Sequence, residues 1–360
     1  MRLPMQGDVV DWDQTSRMVD LFLEAGFNYF DTARVYLDRQ SEQAVKRCLA
    51  DRYPRDRFLL ADKLSDSCFR TQEDIRPLVQ RQLESCGVTY LDYYLMHAQD
   101  AKRFERYRSC RAYETAFELR EEGILRHVGL SFHDGADVLD EILNAYPELE
   151  FVQIQLNYLD YDDGVVQSRK CYEVCEKHGK PVVVMEPVKG GRLARLSEKE
   201  HAVLSRLGGE MSDAGYALRF AADHPSVAMV LSGMSSVEQM EDNIRVMKEC
   251  RPLSDEERTA LSEVRAIALG EGQIGCTACR YCTAGCPAGI SIPDLITALN
   301  SNRTGNGWTS HKFYRTLTSS GGKASNCLAC GQCEEACPQH LPIRDILKQV
   351  RDTFEKPDEK

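Results

Sequence analysis

The 360-residue chain has no apolar run approaching a membrane span, and its start, MRLPMQGDVV, lacks the basic and apolar regions of a signal peptide. Both absences argue against insertion and export and place the expected location in the cytoplasm. Positive charge is not in excess either. The 45 Lys and Arg stand against 56 Asp and Glu, and the resulting formal charge of −11 argues against a nucleic-acid partner. Low-complexity segments are missing, so the polar stretches 301–310 and 319–325 read as loops and 355–360 as a frayed charged end. No GxGxxG follows any apolar run, which removes the usual phosphate turn of an open dinucleotide-binding sheet.

Cysteine, by contrast, is plentiful. Seven of the 15 are scattered, at Cys48, Cys68, Cys86, Cys110, Cys171, Cys175 and Cys250, an odd set that does not form a disulfide framework. The other eight fall in two copies of CxxCxxCxxxCP: Cys276, Cys279, Cys282, Cys286 with Pro287, and Cys327, Cys330, Cys333, Cys337 with Pro338. Three thiolates two residues apart wrap three corners of one cubane, and the fourth, carried off by three residues and a proline, is better placed for the other cluster. Crossed ligation follows as the expectation. Cys276, Cys279, Cys282 and Cys337 would hold one 4Fe-4S cluster, and Cys327, Cys330, Cys333 and Cys286 the second. Paired CxxC also suits zinc, but zinc has no use for a regularly spaced third cysteine followed by Cys-Pro.

With 42% hydrophobic residues the chain can bury a full core. From residue 13 to about 250, short runs rich in Val, Ile, Leu and Tyr alternate with longer amphipathic segments, the pattern of strand-helix units around a parallel sheet. Strands are expected at 28–33, 58–64, 90–97, 127–132, 151–157, 181–188 and 227–233. Helices are expected at 40–52, 74–86, 138–145 and 236–248, the third with Asp134 and Asp137 as candidate caps. Evenly spaced units fit a (β/α) barrel better than an open doubly wound sheet. The division is then a barrel over 1–269 and a small, mainly helical two-cluster domain over 270–360.

A barrel puts its chemistry at the C-terminal ends of its strands, where this chain has Asp31, Tyr36, Lys63, His97, Ser131, His133, Asn157, Glu186 and Gly233. A carbonyl accepting hydride and then a proton needs a donor beside its oxygen and groups that tune that donor. Tyr36 beside an ammonium, Lys63, itself held by a carboxylate, Asp31, would form such a relay, with His97 orienting the substrate oxygen. Each residue alone is ordinary; together they occupy three successive strand ends within FDTARVY, LLADKLS and YYLMH.

At these positions the chain resembles the aldo-keto reductase family, in its iron-sulfur branch. The resemblance implies a (β/α)8-type TIM barrel, a nicotinamide cofactor, NADP or NAD, and the tetrad Asp31, Tyr36, Lys63 and His97, with the tyrosine as general acid. It implies cofactor contacts from Ser131 in GLSFH, Gln153 in VQIQLN, Met185 in VVVMEPVKGG where an aromatic usually stacks, and Gly233, Ser235, Gln239 and Asn243 in LSGMSSVEQMEDN. The basic residue that commonly reads a 2′-phosphate is missing from that last segment, which adds weight to NAD. MRLP resembles the segment after the family's first strand, so that strand and its hairpin are expected to be absent and the barrel edge open or filled by a partner. The cysteine repeats resemble alpha-helical ferredoxin domains of multi-subunit redox enzymes.

His133 and Cys68 are further candidates for the pocket wall, and Arg34 for either an anionic substrate or a structural ion pair. The expected function is reduction of a small-molecule carbonyl, or oxidation of an alcohol, with the two clusters relaying electrons to or from an electron-transfer protein. Its rival is a non-catalytic nicotinamide-binding redox sensor or regulatory subunit that docks an electron-transfer complex.

Overall fold

The computed structural model describes residues 2–270 and 272–355. Seven parallel strands form one curled sheet in chain order: β3 (Tyr29–Asp31), β4 (Leu59–Leu64), β5 (Leu91–Gln99), β6 (Leu125–Phe132), β7 (Val152–Gln155), β8 (Val182–Met185) and β9 (Val227–Val230). Ahead of them lies a short antiparallel hairpin, β1 (Met5–Gln6) and β2 (Val9–Val10). Helices cover the outer face of the sheet, so its central strands are largely buried and read as near-continuous apolar runs, whereas the edge strands β3 and β9 are only partly buried beside the gap. The register aligns Asp31 with Ala61, Lys63 with Leu95 and Ser131 with Gln153, which brings successive strand ends to one rim.

The sheet is a barrel short of one strand. Among the described residues β3 and β9 pair with only one neighbour each, and no eighth strand lies between them. Outside this gap the helices Trp12–Glu24 and Val237–Lys248 pack together, burying Met18, Val237 and Met240 with Phe22 and Ile244 against them. Inside it the gap remains hollow. On the opposite side β6 and β7 approach so closely that a Cβ at Gly129 would meet the Phe151 carbonyl oxygen at 2.5 Å.

Two details differ from the sequence expectations. The helix Ala136–Ala145 is capped by Gly135 without a side-chain bond, because Asp134 instead accepts the backbone N–H groups of Ala101 and Gly135. The polar stretch 301–310 is mostly helical, ending the helix Ile292–Arg303 and opening a further one, Gly307–Leu317. Asn306 between them is buried by polar contacts to the barrel, which the polarity of the stretch conceals.

The C-terminal part has its own apolar core, formed by Ile290, Leu295, Leu299, Ile346, Leu347 and Val350 with Cys282, Cys333 and Cys337. It is built twice over. Cys276 to Cys279 and Cys327 to Cys330 each contain an alanine of positive φ, Ala278 (53°) and Ala329 (54°), followed by a second left-handed residue, Arg280 (65°) or Gly331 (84°). Short helices Tyr281–Ala284 and Gln332–Glu335 come next, then Cys-Pro and a long helix, Ile292–Arg303 or Ile343–Phe354. Of the expected charged end, residues 356–360 lie outside the described residues. Among the described residues no helix is long and apolar enough to cross a membrane.

Candidate active site

The strand ends β3, β4 and β5 deliver Asp31, Lys63 and His97 to one place, and the chain after β3 turns back to bring Tyr36 over them. Lys63 is fully buried, and its Nζ donates to Asp31 Oδ1 at 2.6 Å and to the Thr32 carbonyl at 2.7 Å. The same nitrogen lies 4.9 Å from the centre of the Tyr36 ring. His97 meets that ring edge-on at 5.8 Å, and its Nδ1 is 2.6 Å from Ser65 Oγ, leaving Nε2 as the ring nitrogen free for another partner.

Electrostatics follow from this burial. Removal from water by itself would lower the Lys63 ammonium; the Asp31 carboxylate and the Tyr36 phenol outweigh it and hold the pKa above its ordinary value. Burial drives His97 well below the usual imidazole range, with Lys63 adding to the shift, so the ring is neutral at pH 7. Burial also raises Tyr36, and the opposing pull of Lys63 is the smaller effect.

Asp31, Tyr36 and His97 face a cavity of about 1550 Å³ that runs from the rim down into the gap between β3 and β9, with Lys63 buried behind them. Its wall includes Asp31, Tyr36, His97, His133, Gln153, Met185, Gly233, Ser235, Gln239 and Asn243. Gln153 donates to Met185 Sδ at 3.5 Å, while its Oε1 is buried with no partner, an acceptor left open in the cavity wall. Gln239 Oε1 accepts from Ser235 N at 2.8 Å, and Asn243 donates to Ser232 Oγ at 2.7 Å, so this end is a hydrogen-bonded loop and helix start. The residues fit a nicotinamide dinucleotide: an orphaned amide acceptor at one end and a helix N-terminus at the other.

Other expected positions fall elsewhere. Ser131 is buried behind the cavity wall and accepts from Ala98 N at 2.7 Å. Asn157 is buried too, fastening Leu159, Asp160 and the Glu186 carbonyl. Cys68 lies in the turn beside Ser65, Asp66 and Ser67, and those three residues rather than Cys68 reach the cavity. Arg34 is taken by Glu42 at 2.8 Å, which makes it the structural ion pair of the two alternatives.

Among the wall residues not singled out in the sequence, three stand out by their chemistry. Arg2 packs between Gly190 and Gly233, so a basic group beside Gly233 comes from outside its motif, and Arg195 also lines the cavity. The third is Trp308, from the helix Gly307–Leu317 that the sequence polarity hid.

At the cysteine repeats, Cys327, Cys330 and Cys333 line a small cavity together with Cys286 from the first repeat. Cys282 and Cys337 are buried in the adjoining core, with Cys276 packed against it and Cys279 exposed. Among the described residues no three such side chains stand at the distances of a single-ion site. A set of thiols from both repeats around one hollow fits an iron-sulfur cluster.

A model of the Aldo/keto reductase family matches residues 1–266, and one of a 4Fe-4S dicluster domain matches residues 275–341. The uncharacterized oxidoreductase YqkF of Bacillus subtilis is 26% identical over 68% of this chain and 85% of its own length. The NADH-specific methylglyoxal reductase of Escherichia coli is 28% identical over 49% of this chain and 57% of its own. Among solved structures, the holo form of aldo-keto reductase AKR11C1 from Bacillus halodurans superposes with a TM-score of 0.58 at 26% identity, covering 71% of this chain and 88% of that one. A Klebsiella pneumoniae aldo-keto reductase in complex with NADPH gives the same TM-score at 21% identity, covering 71% and 85%, a likeness of fold.

Proposed function

The chain belongs to the aldo/keto reductase family and carries a 4Fe-4S dicluster domain behind the barrel, and from that premise we propose that it is a nicotinamide-dependent reductase of small carbonyl compounds, or the reverse alcohol dehydrogenase. Tyr36 is the proton donor, Lys63 holds the phenol's developing charge, Asp31 fixes Lys63, and neutral His97 orients the substrate oxygen. The observation that carries this reading is Lys63 Nζ bonded to Asp31 at 2.6 Å while it sits 4.9 Å from the Tyr36 ring, with His97 beside it, all at the head of one cavity.

Gln153, Met185, Gly233, Ser235, Gln239 and Asn243 would hold the nicotinamide cofactor, with Ser131 supporting the wall behind. Bound nicotinamide supplies hydride, and bound clusters supply single electrons. NAD and NADP both suit the site, since Arg2 and Arg195 offer guanidinium groups in the cavity wall. The two clusters are assigned crossed ligands, as Cys286 beside Cys327, Cys330 and Cys333 supports, and relay electrons to or from a protein partner in the cytoplasm. The boundary at residues 269 and 270 rests on the separate apolar cores of the two parts.

Steady-state oxidation of NADH and NADPH against a carbonyl panel, measured anaerobically, tests the reading. Tyr36→Phe should lower kcat/KM by about 100-fold or more. A loss of only a few-fold would favour the second reading, a nicotinamide-binding redox sensor or regulatory subunit. The open sheet edge beside the cavity keeps that second reading in play, because a gapped barrel holds its reacting groups less rigidly.

A further inference from the structure

We propose that the cluster-bearing part of the chain supplies one wall of the substrate pocket, and that Trp308 in that wall selects carbonyl compounds with a flat, apolar body. The inference rests on the pocket being the reductase site described above. Trp308 is the sole residue beyond position 247 that lines the large cavity among the described residues, and it shares that cavity with Tyr36, His97 and His133.

The indole is held from both sides. Before it, Asn306 accepts from Lys189 Nζ at 2.5 Å and donates to Asp160 Oδ1 at 2.9 Å, inside a buried group that belongs to the barrel. After it, Lys312 donates to Asp100 at 2.6 Å and to the His133 carbonyl at 3.0 Å. Lys312 Nζ also lies 5.6 Å from the indole centre, and the His133 ring meets it edge-on at 5.2 Å. A tryptophan so anchored does not swing away, yet 53% of it stays exposed, a large aromatic surface left without a protein partner.

Charge at this end of the pocket is already spoken for. Arg103 pairs with Asp66 and Asp100, and Asp100 also takes Lys312, so these two cations and two anions compensate one another beside the indole. What remains for recognition is stacking on an aromatic face, followed by presentation of the carbonyl oxygen to Tyr36 and His97.

The test uses the full-length holoprotein under anaerobic conditions, with an aryl aldehyde and a two-carbon aldehyde as paired substrates. In Trp308→Ala the ratio of kcat/KM for the aryl over the small aldehyde should fall about tenfold, mainly through KM, and Trp308→Phe should restore most of it. An unchanged ratio with an active enzyme would overturn the inference and leave the reductase reading standing. If the parent protein reduces no carbonyl, binding decides instead. In a Trp12→Phe background Trp308 is the remaining tryptophan, and a saturable quench of its emission by the aryl aldehyde supports the wall, whereas no saturable quench overturns it.

Discussion

Each member of the tetrad is an unremarkable residue, and what joins them is burial around a single ammonium. Lys63 keeps its charge inside the protein because Asp31 and the Thr32 carbonyl replace its water. The histidines behave oppositely. Burial pushes His133 down to about 4, aided by Lys312 and Arg103 and opposed by Asp100. Unfolded, the ring takes up its proton near pH 6.5. The unfolded state therefore binds more protons between those values, so the stability tied to a neutral His133 is present above pH 6.5 and is lost as pH falls toward 4. Urea midpoints measured from pH 7.5 to 5 should fall less steeply in His133→Gln than in the parent. Equal slopes would mean that His133 gains its proton without resistance. The meeting of Asp31, Lys63 and His97 was legible in the sequence because they lie near the ends of successive strands, with Tyr36 in the turn after the first. Trp308 was not, since only the fold brings a residue from the second part next to His133.

Among the elements, the seven strands stand where their apolar runs predict, within a few residues, since burial on both faces of the central strands leaves little choice of residue. Helix Gly307–Leu317 escaped notice because its N-terminal anchors are long-range: Asn306 reaches Asp160 and Lys189, and no local signal encodes that. The expected lack of a first strand is matched by the unpaired outer edges of β3 and β9. Tight packing elsewhere offers a check on the sheet. Gly129→Ala would drive a methyl into the Phe151 carbonyl and ring, and should destabilise the barrel by about 1–3 kcal/mol in chemical denaturation. A neutral effect would mean that β6 and β7 are further apart than described.

For the molecule as a whole, the repeated Cys-x-x-Cys loops, short helices and long helices are the structural form of the duplicated motif, and that much is readable from spacing alone. How the repeats interlock is not, because it depends on which core their helices share. Crossed ligation, as proposed, carries a specific consequence: Cys286→Ala lies in the first repeat but should destabilise the cluster of the second. Iron and sulfide contents of the anaerobically purified parent should correspond to about eight of each, falling toward about four in the variant. Mössbauer or EPR spectra would then show a single remaining cluster that responds to Cys337→Ala and not to Cys330→Ala. Loss on Cys330→Ala as well as on Cys337→Ala would indicate that each motif holds its own cluster.

The proposed reductase function requires that the barrel oxidise bound nicotinamide through its own residues. A single-turnover experiment follows bound NADH or NADPH by its fluorescence after anaerobic mixing with an aldehyde, in the parent, Tyr36→Phe and Lys63→Met proteins. All three should bind nucleotide, and the two variants should oxidise it about 100-fold or more slowly. Variants that bind nucleotide and turn it over within a few-fold of the parent rate would contradict proton donation by Tyr36.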